Sequence, residues 1–105
     1  LDNPALNECA NRVLRILKED SKKSVDKNLF KESSEKMLLD QINTIDENVD
    51  YKTYLDSLIA INPSVEKFFE DVLVMDKDEK VKENRLALLT LLKKKYEKLT
   101  DFSKL

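Results

Sequence analysis

No glycine occurs anywhere in the chain, and proline stands only at Pro4 and Pro63. Glycine takes positive φ without steric cost, so tight hairpin turns and left-handed caps are what a glycine-free chain makes least easily. A sheet-rich fold is therefore disfavoured, and an all-α bundle is expected. The 105 residues suffice for one domain with one core and are too few to divide comfortably into two. Hydrophobic residues make up 41% and charged ones 38%, the balance of a helical globular protein rather than of a disordered chain.

The same residue counts remove several kinds of chemistry. Cys9 is the single cysteine and cannot form an internal disulfide, and the lack of histidine argues against zinc sites and histidine-based triads. A reducing compartment fits that usage. No apolar run approaches the roughly 18 residues of a membrane span, and no signal-peptide series opens the chain, so the expected location is cytoplasmic with no membrane partner. The start at Leu1-Asp2, without an initiator methionine, suggests a piece of a longer protein. A net charge of −2 is unlike a general nucleic-acid binder, so any RNA contact must come from a local basic patch.

Helical periodicity runs through most of the sequence. Asn3 is placed to cap a first helix with Pro4 in its first turn, running to about Lys18. Leu6, Ala10, Val13 and Leu17 form its apolar face, widened by Cys9 and Leu14. Its other side carries Asn11, Arg15, Lys18 and Lys22, flanked by Arg12, as a basic ridge. Periodicity fades from Glu19 to Lys27, which is expected to be an exposed excursion anchored by Val25, Leu29 and Phe30. A second helix is expected from about Glu32 to Asp46 on Leu38, Ile42, Ile45 and Val49, with Met37 and Leu39 beside them. Asp50 caps a third, Tyr51 to Ile61, burying Tyr51, Tyr54, Leu55, Leu58 and Ile59. Asn62-Pro63 then reads as a stop and restart, opening a short fourth helix on Val65, Phe68, Phe69 and Val72. After the acidic turn Asp76-Lys77-Asp78-Glu79, a last helix from about Asp78 to Leu99 is apolar at Val81, Leu86, Leu88, Leu89, Leu92, Tyr96 and Leu99. So broad an apolar surface marks it as the central helix of a bundle of about five.

Few residues stand out for chemistry, and no acid–base pair or spaced metal-ligand motif is apparent. Arg85 lies on the edge of the apolar stripe of the last helix, where an unpaired guanidinium would be costly. Two uses fit it: an ion pair with Asp76, Asp78 or a neighbouring acid, or an RNA contact with Asn84 beside it. The ridge of Asn11, Arg12, Arg15 and Lys18 suits a phosphate backbone, and its arginines suit stacking on an unpaired base. Ordinary surface ion pairs from Glu8 to Arg12 and from Arg15 to Glu19 account for the same charges. Lys93, Lys94, Lys95 and Lys98 fit the C-terminal end of a helix dipole as well as they fit RNA. The aromatic residues Tyr51, Tyr54, Phe68, Phe69 and Tyr96 sit at core spacing, and Cys9 reads as a small buried hydrophobe.

Certain stretches also carry a family likeness. Phe68-Phe69, Val72-Leu73-Val74-Met75, the acidic Asp76 to Glu79, Asn84-Arg85-Leu86-Ala87-Leu88-Leu89 and the ending Asp101-Phe102-Ser103 follow one another as they do at the close of bacterial glycyl-tRNA synthetase β subunits. Ala10-Asn11-Arg12-Val13 with Ile16-Leu17 is similar to that family's Ala-Asn-Lys-Arg-Val stretch, with one basic residue before Val13 where the family often has two. Glu35-Lys36 and Pro63-Val65-Phe68-Phe69 extend the resemblance to nearly the whole chain. It implies an all-helical anticodon-binding domain of the DALR type, similar to that of arginyl-tRNA synthetases. It further implies a non-catalytic part of a glycine-tRNA ligase that binds the anticodon stem-loop of glycine tRNA; the candidate contacts remain those read above from the residues themselves, Asn11, Arg12, Arg15, Lys18, Asn84 and Arg85. No cofactor is expected in this domain. ATP and Mg would be used by the parent enzyme's catalytic α subunit, reached through the rest of the β subunit. The equivalent arginyl-tRNA synthetase domain and a helical protein-interaction module are the alternatives.

Overall fold

A computed structural model describes residues 3–103. The Leu1-Asp2 start lies outside the described residues, as do the side chains of Phe102 and Ser103 in the family-like ending. Four helices, α1 (Pro4–Ile16), α2 (Ser33–Asn43), α3 (Tyr51–Asp71) and α4 (Glu79–Ser103), are joined by loops, with one 3-10 turn at Lys27–Leu29 before α2. Among the described residues there is no strand, in keeping with the all-α expectation.

The start of α1 is built as its sequence implies. The Asn3 Oδ1 accepts the Leu6 N–H at 2.9 Å and Pro4 occupies the first turn, so one orphan amide is capped and another never exists. Leu6, Cys9, Val13 and Leu17 are buried on one face. Ala10 is only half-buried and Leu14 is exposed, which narrows the expected stripe. The helix ends at Ile16, with the Leu17 N–H still bonded to the Val13 carbonyl at 2.9 Å. Lys18 and Lys22 consequently sit on the following connection rather than on the helix.

The largest departure from expectation is at Asn62-Pro63, where one continuous helix replaces two. Tyr54, Leu58, Ile61, Val65, Phe68 and Val72 are all buried, and they alternate by four and three residues straight across the proline. An unbroken apolar seam of that period rewards continuing the helix, since each fully buried large side chain stabilises by about 1.5–3 kcal/mol. Pro63 faces solvent and forfeits one bond to the Ile59 carbonyl, a smaller loss than breaking the seam. Replacing it should therefore help: Pro63→Ala is expected to stabilise by about 2 kcal/mol after allowing for a more flexible unfolded chain. Thermal unfolding followed by circular dichroism checks this, and a lower melting temperature would show that the proline is needed where it stands.

Helix α4 is central, touching α1, α2, α3 and the 3-10 turn. Val81, Ala87, Leu88, Leu89, Leu92 and Leu99 are buried along it, with Leu86, Leu91 and Tyr96 half-buried. It runs on to Ser103, past the expected end near Leu99. Met37 and Tyr51, expected in or beside the core, are exposed instead.

The connection from Leu17 to Glu32 is more than an excursion. Ser21 N–H donates to Thr90 Oγ1 at 3.0 Å, and Lys93 pairs with Asp20 at 2.6 Å. Asn84 clamps the backbone of Asp26, accepting its N–H at 2.7 Å and donating to its carbonyl at 3.0 Å. Val25 and Phe30 pack against the core beneath these ties. The segment is thus strapped along α4 by side chains that periodicity alone does not reveal.

Candidate nucleic-acid interface

Helix α1 presents its outer face as the ridge read from the sequence: Asn11, Arg12 and Arg15 are all exposed, and Lys18 continues just beyond the helix end. Arg15 lies in the last turn, where a cation favours the dipole. Among the described residues no ion pair joins Arg12 to Glu8 or Arg15 to Glu19, so no direct salt bridge ties these arginines down. The Arg12 guanidinium instead rests over the Phe69 ring, 4.5 Å from its centroid. Phe69 in turn meets Phe68 edge-on, with centroids 5.5 Å apart and planes at 75°. Helix α3 therefore supplies a fixed aromatic support for an α1 arginine, a contact that orders a long side chain.

Beneath that contact a recess is lined by Ala5, Glu8, Cys9, Arg12, Arg15, Glu66 and Phe69. Cys9 forms its floor as a buried thiol, and burial, with the nearby Glu66 carboxylate, pushes it above the usual thiol range. It is a packing residue rather than a nucleophile.

Asn84 and Arg85 are placed elsewhere and do other work. Asn84 is 4% exposed and spends its amide on Asp26. Arg85 is 3% exposed: its Nε donates to Glu35 Oε1 at 2.8 Å, and Nη1 donates to the Leu73 carbonyl at 2.7 Å and to Asp76 Oδ2 at 3.3 Å. Both were candidates for RNA contact, and both are instead internal fasteners. The physical reason is position: each points from α4 into the gap between the bundle and a loop, where an unpaired amide or guanidinium would be expensive. The Asp76 ion pair is one of the two uses open to Arg85 from sequence.

Glu35 is the partner that sequence reasoning did not assign. It is completely buried, and its other oxygen accepts the Lys31 and Glu32 N–H groups at 2.7 and 2.8 Å. Burial pushes its carboxyl upward, but the Arg85 hydrogen bond and the two backbone donors outweigh this and hold it below the usual carboxylate range. An acid three residues after Glu32, at the mouth of α2, is the one local signal that marks it.

The lysines of α4 are also partly engaged. Lys93 pairs with Asp20 and Lys95 with Glu47, at 2.6 and 2.7 Å. Tyr54 is buried and donates its hydroxyl to the Lys95 carbonyl at 2.7 Å. Arg12, Arg15 and Lys18 are exposed and, among the described residues, outside any ion pair, as are Lys22, Lys23 and Lys27 on the strap.

Comparison with known proteins agrees with the fold. The model of the DALR anticodon binding domain matches residues 8–101. A glycine–tRNA ligase beta subunit from Thermodesulfovibrio yellowstonii is 38% identical over 101 residues, covering 90% of this chain and 15% of the relative. That of Aquifex aeolicus is 34% identical over 103 residues, covering 97% and 15%. One from Streptococcus agalactiae is 40% identical over 80 residues, covering 76% and 12%. The chain thus spans about 15% or less of the length of these relatives. With nearly its whole length matched by that model, and its helices in the expected all-α arrangement, the chain belongs to the DALR anticodon binding domain family.

Proposed function

We propose that this chain is a single anticodon-reading domain of a longer glycine–tRNA ligase beta subunit, and that it receives the anticodon stem-loop of glycine tRNA on the outer face of α1. The observation that carries this is the exposed set Asn11, Arg12, Arg15 and Lys18, free of local ion pairs and with Arg12 supported on Phe69. The relatives' names supply the amino acid. Arginines suit this task because a guanidinium grips phosphate through two parallel hydrogen bonds and also stacks on unpaired bases. The domain performs no chemistry itself: glycine activation, with its ATP and Mg, belongs to the catalytic α subunit, in the cytoplasm. No helix among the described residues is long and apolar enough to cross a membrane.

The test is titration of the chain against a glycine anticodon stem-loop, with an arginine stem-loop as control, at low salt. Tighter binding of the glycine hairpin is expected. Arg15→Ala should weaken both hairpins alike and reduce the slope of log affinity against log salt by about 0.7, the loss of one phosphate contact on a single strand. Equal, feeble binding of both hairpins by the unaltered chain would remove this reading.

A further inference from the structure

The recess between α1 and α3 sets two carboxylates within a cationic face. Glu8 and Glu66 share its lining with Arg12, Arg15 and Phe69, around a hollow of about 220 Å³. For holding phosphate alone these acids are a handicap, since each repels the charge of the strand. They are not spent on the neighbouring arginines either, because Arg12 turns to Phe69 and no ion pair joins the two acids to Arg12 or Arg15 among the described residues.

Glu66 is also held in place. Its Oε1 accepts from Nδ2 of Asn62, at 3.3 Å, and Asn62 is only 6% exposed, one turn earlier on α3. One carboxylate oxygen is thereby fixed while the other keeps its capacity to accept. An arginine backed by an aromatic ring and a positioned acceptor together suit a planar group that stacks and donates. Phosphate and ribose do not fit that description; an unpaired base with an exocyclic amino group does.

We propose that this recess takes one unpaired amino-bearing base of the RNA, cytosine before the larger adenine and guanine, stacked on Arg12 with its amino group donating to Glu66. Glu66 is then a specificity-determining residue, and Arg15 at the rim holds the adjoining phosphate. Uracil presents an oxygen where cytosine presents the amino group, so its lone pair meets the carboxylate's and the base is refused. The inference rests on the tRNA-binding reading above and deepens it from a charged face to a base-reading pocket.

The test uses the glycine anticodon hairpin with its loop cytosines changed to uracil one at a time. At one loop position the change is expected to weaken binding about tenfold or more, the effect of losing one good base-edge contact. In Glu66→Gln that ratio should fall below about threefold, with no loss of affinity for the uracil hairpin, because a carboxamide can turn either an acceptor or a donor toward the base. Were Glu66 only a surface charge, the same substitution would tighten every hairpin alike and leave the ratio intact, and that result overturns the proposal. Arg12→Lys keeps the charge but not the stacking plane, and is expected to weaken the cytosine hairpin with an unchanged circular dichroism spectrum. If the hairpin binds but no position prefers cytosine, the pocket inference fails while the tRNA reading stands. Absence of binding to any hairpin removes both.

Discussion

Replacing Arg85 with methionine is expected to lower the stability of the domain by about 3–5 kcal/mol, because it leaves a buried carboxylate without its counter-charge. Glu35 is completely buried, so the loss is not screened by solvent. The Leu73 carbonyl and Asp76 lose the same guanidinium at once, which unpins the α3–α4 loop from α4. On thermal melting the change should exceed about 12 °C for a domain of this size. The double variant Arg85→Met with Glu35→Leu should recover more than half of the loss, since a buried ion pair is often replaceable by apolar side chains of similar volume. A single variant melting within about 3 °C of the parent would show the pair to be dispensable and return Arg85 to the list of RNA contacts.

The same pair sets a pH dependence. Glu35 is held below its usual pKa of 4.5, first against burial and then by Arg85 and two backbone amides. Asp76 is also lowered, mainly by the Asp78 N–H, and Asp50 by Thr53. In each case the unfolded chain binds protons more readily than the folded one, so the stabilisation is fully present above the unfolded pKa. It is lost as pH falls through the lower folded value. Urea midpoints should therefore be insensitive to these groups from neutrality down to about pH 5 and fall below it, and Glu35→Gln should make that fall shallower.

The other large effect is expected from Phe68→Ala, about 3–5 kcal/mol, the range for emptying a buried aromatic site. Phe68 is fully buried on the seam that carries α3 across Pro63, and it braces Phe69 from behind. The substitution therefore acts on two levels: it opens a cavity in the core and removes the support under the Arg12 platform. A lower urea midpoint with an unchanged m-value checks the first. Phe68→Leu, which keeps most of the volume, should cost roughly 1 kcal/mol or a little more. A Phe68→Ala loss no larger than that of Phe68→Leu would mean that the core closes over the gap.

How far sequence alone reaches differs from place to place. The first turn of α1 was readable in full, because Asn3, Pro4 and Leu6 act locally and the cap needs only neighbours. At Asn62-Pro63 a strong local stop signal is overridden by the longer seam from Tyr54 to Val72, whose period continues unbroken. Arg85 shows the limit most clearly. Its place on the stripe shows its need for a partner and its nearness in sequence offers Asp76, but Glu35 lies 50 residues away and only the fold brings them together. Asn84, likewise, looked like a free amide until the strap closed over it. The basic ridge is legible as far as Arg15 because that part is one face of α1, whereas Lys18 and Lys22 lie past the helix end and the recess beside it needs α3.

The strap from Leu17 to Glu32 has a bearing on how the protein comes into being. Its fastenings to Asn84, Thr90 and Lys93 span 58, 69 and 73 residues of chain. Loop-closure entropy for contacts that distant is met only when the far partner exists, so on the ribosome the front of the domain waits for α4. Until that helix emerges, α1 and α2 can pack on α3, but the Asn84, Thr90 and Lys93 fastenings of the segment between them are missing. The strap is therefore the part fastened last, and a nascent chain arrested before Asn84 would hold α1 joined to α2 by an untethered thread.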